Sequence, residues 1–209
     1  MNYKLKGKEL DDGHEIRFPK KFAEKFILEY TKKGDVVFDP FAGYGTTLFA
    51  AQDNQRVGIG IEYDNKRFNY IKSKLKYQSQ IINGDSTKMD SMNLPKMDFL
   101  LTSPPYMRYF DKENPLANYI TKGNYKNYLK NMGKVFSKIK KVMKKNSFII
   151  VEASNTFEKN YPMTPLAWDF GKEISKYLFL ESEIIYCHEE KSSIIQNSNH
   201  SYCLIFRNK

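Results

Sequence analysis

Cysteine and histidine are scarce in this chain of 209 residues, which has only Cys187, Cys203, His14, His188 and His200. No CxxC pair occurs, so neither a structural zinc site nor a disulfide framework is expected. Both cysteines stand in apolar runs, which predicts reduced, buried side chains. No apolar run approaches the ~18 residues of a membrane span. The opening Met1-Asn-Tyr-Lys-Leu-Lys6 has no signal-peptide core, so a cytoplasmic location without membrane contact is expected. Gly-x-Gly-x-x-Gly is also missing, and no lysine follows the glycines of the one glycine-rich turn, which argues against nicotinamide dehydrogenases and P-loop nucleotidases. Internal repeats and low-complexity linkers are absent too.

The remaining composition suits one compact domain over residues 1–209, with 41% hydrophobic residues to build a core. A formal net charge of +10 favours a polyanionic partner. A general bias toward lysine and asparagine offers a second explanation of the charge.

Periodicity alternates between short apolar strands and amphipathic helices, the pattern of an α/β fold. Strands are predicted at Val36–Phe38, Val57–Ile61, Gln80–Ile82, Asp98–Leu101, Ser147–Val151, Glu181–Cys187 and Ser201–Phe206. Helices are predicted at Arg17–Thr31, Thr46–Gln52, Asn65–Tyr77, Tyr125–Lys144 and Pro165–Leu178. This order predicts a Rossmann-like, seven-stranded, mostly parallel sheet with helices on both faces. Ligands in such sheets collect at the carboxyl ends of the strands, beside free helix N-termini.

Two segments fall at such ends. Asp39-Pro-Phe-Ala-Gly-Tyr-Gly-Thr-Thr47 follows the first strand, and Thr102-Ser-Pro-Pro-Tyr106 follows the fourth. Gly43 and Gly45 allow a sharp turn and close approach of a ligand to the backbone. Asp39 is suited to accept from an ammonium group, and Thr46 and Thr47 to hold a carboxylate. Glu62 lies about 20 residues past the glycines, where a doubly wound fold places an acid on ribose hydroxyls. Tyr63 can pack on a purine, and Asp85, with Ser86, closes the third strand. In the second segment the Ser103 hydroxyl and the Pro104 carbonyl can both accept from an amino group, while Pro104 and Pro105 restrict the backbone. Tyr106 offers a face for an extruded base. A covalent nucleophile is not needed for such chemistry, and the sequence offers no well-placed His or Glu as a base.

Together these segments resemble the cofactor and catalytic loops of the S-adenosylmethionine-dependent amino-methyltransferase family of DNA modification enzymes. The Ser of Ser103-Pro-Pro-Tyr106 resembles the cytosine-N4 branch, since adenine-N6 members more often carry Asp or Asn there. Arg17-Phe-Pro-Lys-Lys-Phe22, Val151-Glu-Ala-Ser-Asn155 and His200-Ser-Tyr-Cys-Leu-Ile-Phe206 match further family segments in character. The resemblance implies S-adenosylmethionine as cofactor, held by Phe18, Asp39, Pro40, Phe41, Ala42, Gly43, Gly45, Thr46, Thr47, Glu62, Tyr63, Asp85 and Ser86. It implies methylation of the N4 nitrogen of cytosine in DNA, within restriction-modification chemistry, with Ser103, Pro104, Pro105 and Tyr106 as the catalytic set. Adenine-N6 methylation, methylation of an RNA base and a nucleic-acid-binding subunit that relies on a partner stay open as alternatives.

One departure concerns specificity. Only 17 residues separate Asp85 from Ser103, leaving no room there for a separate target-recognition domain. Specificity is then either absent or expected from a partner chain, such as a specificity subunit or a homodimer mate, or from the loops Met107–Asn124, Asn155–Thr164 and Glu189–Asn199. In the first loop Arg108, Tyr109 and Lys112 suit phosphates and stacked bases, though a lid over the cofactor fits equally. Lys134, Lys138, Lys141 and Lys145 share a helical spacing that suits either a phosphate backbone or a solvated face.

Overall fold

The computed structural model describes residues 18–76, 78–187 and 200–209. Its seven strands are β1 (Val36–Asp39), β2 (Val57–Glu62), β3 (Gln80–Asn83), β4 (Met97–Thr102), β5 (Met143–Ala153), β6 (Phe179–Cys187) and β7 (His200–Arg207). They form one sheet in the order β3-β2-β1-β4-β5-β7-β6. The strands from β3 to β5 in this order run parallel, whereas β7 is antiparallel to both β5 and β6. This is the Rossmann-like sheet that the alternation of elements predicts.

Alternation along each strand sorts the core into two layers. Val37, Phe99, Leu101, Ile150 and Ile205 point to one face, where α1 (Lys20–Tyr30) and α2 (Thr46–Asp53) cover them with Phe22, Phe26, Ile27, Ala50 and Ala51. Phe38, Leu100, Ile149, Val151 and Phe206 point to the other face, beneath α4 (Tyr125–Val142) and α5 (Leu166–Ile174). The inner stripe of α4 is Tyr125, Tyr128, Met132, Val135, Phe136 and Ile139, a three-and-four spacing that keeps one face against the sheet. On the remaining helix, α3 (Asn65–Lys74), the Asp64 side chain caps the first turn by accepting from the Lys66 and Arg67 amides.

Several boundaries differ from the sequence expectation for local reasons. Helix α1 begins only after Pro19, while Arg17 lies outside the described residues. Helix α3 stops at Lys74 because Leu75 is extended; Tyr77 is outside the described residues. Helix α4 ends at Val142 because Met143 is drawn into the sheet opposite Met97, and the Asn208 amide donates to the Lys140, Met143 and Lys144 carbonyls where the chain leaves the helix. Lys145 therefore sits on β5 and falls out of the supposed helical lysine series. Helix α5 closes at Ile174, where Ser175 donates its hydroxyl to the Gly171 carbonyl.

The cysteine expectation is half corrected. Cys203 is buried on β7, but Cys187 is exposed, because β6 is the edge strand and most of its length faces solvent. His14, His188 and the loop 189–199 lie outside the described residues. Among the described residues no helix is long and apolar enough to cross a membrane.

The packing of α2 on β2 is set by a glycine. A Cβ at Gly58 would stand 2.9 Å from Leu48 Cα and 3.0 Å from its carbonyl oxygen, both backbone atoms that cannot swing aside. Gly58→Ala must push α2 off the sheet, so urea unfolding should show a loss of about 1–3 kcal/mol.

Candidate active site

The parallel strands end in a row of polar groups. In spatial order Asp85 lies just beyond β3, Glu62 ends β2, Asp39 ends β1, Ser103 follows β4, and Glu152 lies near the end of β5. The β1–β4 junction is where the connections reverse direction across the sheet, which opens a crevice at the strand ends. A cavity of about 570 Å³ lies there, lined by Phe18, Asp39, Pro40, Phe41, Ala42, Gly43, Thr46, Glu62, Tyr63, Asp85 and Ser86 together with Ser103, Pro104, Pro105 and Tyr106. Its size is ordinary for a small-molecule site.

The glycine loop is built from the backbone outward. The Ala42 amide donates to the Ile61 carbonyl at 3.0 Å and the Gly45 amide to the Ala42 carbonyl at 2.7 Å, curling the chain over the end of β2. Gly43 (φ 55°) and Gly45 (φ 81°) take up the left-handed turns. The Gly43 amide donates to Glu62 Oε2 at 2.7 Å, and the Asp64 amide donates to Oε1 at 2.8 Å. Glu62 is thus held rigidly at the cavity wall, with lone pairs left for further donors. Its carboxyl is raised above the usual range, chiefly by burial.

Asp39 is almost fully buried, yet lines the cavity. Its Oδ1 accepts from the Phe41 amide at 3.0 Å and from the Thr102 hydroxyl at 2.7 Å. Burial outweighs these bonds and pushes its carboxyl up to about 6. A buried carboxylate facing a cavity favours a cationic ligand. Asp85 accepts from the Thr87 amide and hydroxyl through Oδ1, and Ser86 donates to the Pro40 carbonyl, bracing the glycine loop from the β3 side.

Two residues expected at the cofactor lie outside the cavity lining. Thr47 is fully buried and directs its hydroxyl at the Leu101 carbonyl, 3.3 Å away, because its position on α2 faces β4. Gly45 faces inward, where a Cβ would meet Ile71 at 3.0 Å and Phe49 at 3.2 Å. Of the threonine pair, Thr46 alone reaches the cavity.

The Ser103–Tyr106 loop is fixed from two sides. Tyr128 on α4 donates to the Pro105 carbonyl at 2.6 Å. The Tyr106 hydroxyl accepts from the Ser154 amide at 2.9 Å and donates to Glu152 Oε2 at 3.3 Å. Burial, then the neighbouring Glu152, raise the Tyr106 phenol well above its usual range. The absence of a well-placed carboxylate, expected from the sequence, is corrected here. The register of β4 on β5 pairs Thr102 with Val151, so the next step along both strands sets Ser103 beside Glu152. Burial raises the Glu152 carboxyl, opposed by the polar groups around it, among them the Tyr106 hydroxyl that donates to it. The signal was present in the sequence: a lone acid inside the apolar run Ile149-Ile-Val-Glu-Ala153.

Tyr44, Arg67, Thr87, Pro115, Leu116, Asn118 and Tyr119 also line the cavity and were not singled out beforehand. The residues expected to meet nucleic acid divide differently. Arg108 is engaged within the protein, bonded to Asp111 and Glu158 and stacked on Phe110. Tyr109 and Lys112 are exposed beside it, Tyr109 packing edge-on against Tyr125. In the lysine series, Lys138 is tied to the Thr87 carbonyl and to Asp90, whereas Lys134 and Lys141 are solvent-exposed.

Comparison with known proteins agrees with this geometry. Residues 1–73 match the family described as DNA methylase, the N6 and N4 amino-methyltransferases. The chain is 43% identical over 63 residues to the orphan methyltransferase M.BamHII of Bacillus amyloliquefaciens, covering 30% of this chain and 24% of that protein. It is 45% identical over 56 residues to the type II methyltransferase M.BglI of Bacillus subtilis, covering 27% and 16%. The aligned segments thus span a quarter or less of these relatives' own lengths. In fold, the chain resembles a TehB-like S-adenosylmethionine-dependent methyltransferase from Corynebacterium glutamicum, with a TM-score of 0.59 at 12% identity, covering 90% of this chain and 87% of that one. What these comparisons support is the amino-methyltransferase family, its N6 and N4 branches together, and they imply S-adenosylmethionine as cofactor. Asp39, Glu62, Tyr63 and Asp85, the residues expected to meet its ammonium, ribose and adenine, all line the cavity.

Proposed function

We propose that this chain methylates the exocyclic amino nitrogen of a base in DNA, and that the base is cytosine. Ser103 beside the buried Glu152, at the mouth of a cavity that fits S-adenosylmethionine, carries the proposal. S-adenosylmethionine, when bound, supplies an electrophilic methyl group on a sulfonium.

An exocyclic amino group is a poor nucleophile because its lone pair is delocalised into the ring. Acceptors that take both amino hydrogens pull the nitrogen toward tetrahedral geometry and free that pair. A hydroxyl has one hydrogen and two acceptor lone pairs. We place the Ser103 hydrogen on Glu152, its neighbour across the β4–β5 pairing, which turns the acceptor lone pairs of the hydroxyl to the substrate. The Pro105 carbonyl is occupied by Tyr128, which leaves the Pro104 carbonyl as the second acceptor. Tyr106, held by Ser154 and Glu152, presents its ring to an extruded base. Glu152 can also receive, through Ser103, the proton that the methylated nitrogen sheds. Preorganised acceptors and proximity are the main sources of rate in this arrangement.

Nucleoside mass spectrometry of unmethylated DNA and of bulk RNA, incubated separately with the protein and labelled S-adenosylmethionine, tests the reading. Label in N4-methylcytosine from DNA is expected. Label in N6-methyladenine, or only in RNA, would overturn the base or the polymer. Cytosine is favoured by Ser103 standing where an Asp or Asn resembles the adenine enzymes. Exposed loop residues such as Tyr109 and Lys112, or a partner chain, are candidates for reading a DNA sequence.

A further inference from the structure

Part of the cavity wall, Pro115, Leu116, Asn118 and Tyr119, comes from one tightly built loop. The Asn114 amide donates to the Thr121 carbonyl at 2.7 Å and the Gly123 amide to the Lys112 carbonyl at 2.9 Å, so the loop closes on itself like a short hairpin. Within it the Asn114 side chain accepts from the Leu116 amide at 3.1 Å, and the Asn114 carbonyl accepts from the Tyr119 amide at 3.0 Å. At the tip Asn118 (φ 48°) and Tyr119 (φ 62°) are consecutive left-handed residues. Asparagine tolerates that conformation; tyrosine does so at a cost, and such outliers concentrate at binding and catalytic sites. The loop's internal bonds hold both residues in place.

Asn118 is half-buried and lines the cavity together with Leu116 and Tyr106. It is the one carboxamide side chain among the described lining residues, and no described residue hydrogen-bonds its amide. A rigidly placed amide with open donor and acceptor sites is suited to the edge of a base. Next to its amino group cytosine carries a ring-nitrogen acceptor, with a carbonyl beyond it, and adenine likewise carries a ring-nitrogen acceptor next to its amino group. We infer that Asn118 is a base-positioning residue, whose amide donates to the ring acceptor next to the amino group that Ser103 holds. This role rests on the amino-methyltransferase reading and adds to it a second, independent point of contact on the base.

The test separates the amide from the loop. Glycine adopts left-handed backbone at no steric cost, so Asn118→Gly removes the amide and leaves the loop conformation accessible. With a DNA oligonucleotide that the wild type methylates, kcat/KM for Asn118→Gly should fall on the order of 10- to 100-fold. S-adenosylmethionine affinity and the melting temperature should be unchanged. Asn118→Asp, which sets a carboxylate against the ring acceptor, should lose at least as much. Asn118→Gly with wild-type kcat/KM would overturn the role and leave the proposed function standing. A wild-type protein that binds S-adenosylmethionine but labels no nucleoside would overturn the proposed function and this role with it.

Discussion

Ser103→Ala should lower turnover by about 10²–10³-fold, while the affinity for S-adenosylmethionine stays at the wild-type value. In the proposed mechanism the hydroxyl accepts one amino hydrogen of the base in the transition state, and alanine leaves that hydrogen without a partner. Because Ser103 acts on the nucleophile alone, the loss should appear in kcat, with ligand binding intact by calorimetry. Glu152→Gln provides the companion measurement. Its amide can donate to Ser103 and so reverse the hydroxyl, turning the hydrogen toward the substrate. A turnover loss of about tenfold or more, again without loss of cofactor affinity, is expected. Single-turnover methyl transfer measures both. Wild-type rates in Ser103→Ala would remove the serine from the mechanism, and wild-type rates in Glu152→Gln would reduce Glu152 to a packing role.

The fold was legible because its signals are local and repeated. Val36-Val-Phe38 and Val57-Gly-Ile-Gly-Ile61 are short apolar runs, each followed by a glycine or acid and then a helix, and the sheet pairs them in parallel. The spacing on α4 also appears directly in the letters, from Tyr125 to Ile139. Glycine and proline punctuation marked the two functional loops, since a turn that must curl over a strand end selects those residues whatever it binds. Less legible were contacts made across strands. Glu152 reads as an odd charge in a strand until the β4–β5 register brings it beside Ser103. Thr46 and Thr47 look equivalent in the sequence, yet α2 turns one into the cavity and buries the other against Leu101. Asn118 carries no pattern at all; its position depends on loop hydrogen bonds among Lys112, Asn114, Thr121 and Gly123. Arg108 likewise reads as a free cation until Asp111 and Glu158 fold against it.

Asp39→Asn should stabilise the protein without ligand and weaken its hold on S-adenosylmethionine. Burial raises the Asp39 carboxyl from 3.8 to about 6, so folding disfavours the ionised form. Its contribution to stability is therefore complete below about pH 3.8 and is lost as pH rises through about 6. That rise corresponds to roughly 3 kcal/mol at neutral pH, and a neutral amide avoids most of it while its oxygen still accepts from Phe41 and Thr102. Urea unfolding should therefore show Asp39→Asn more stable than wild type by about 1–3 kcal/mol at pH 7.5, with the difference vanishing near pH 4. Ligand binding should change in the opposite direction. The wild-type affinity for S-adenosylmethionine should fall by about tenfold per pH unit below 6, as the carboxylate that faces the ammonium is protonated. In Asp39→Asn it should be weaker by about 100-fold at neutral pH and show no such dependence on Asp39. An Asp39→Asn protein that binds S-adenosylmethionine as tightly as wild type would show that the ammonium lies elsewhere. If Asp39 meets the ammonium as proposed, the same buried charge weakens the empty fold and strengthens the loaded one.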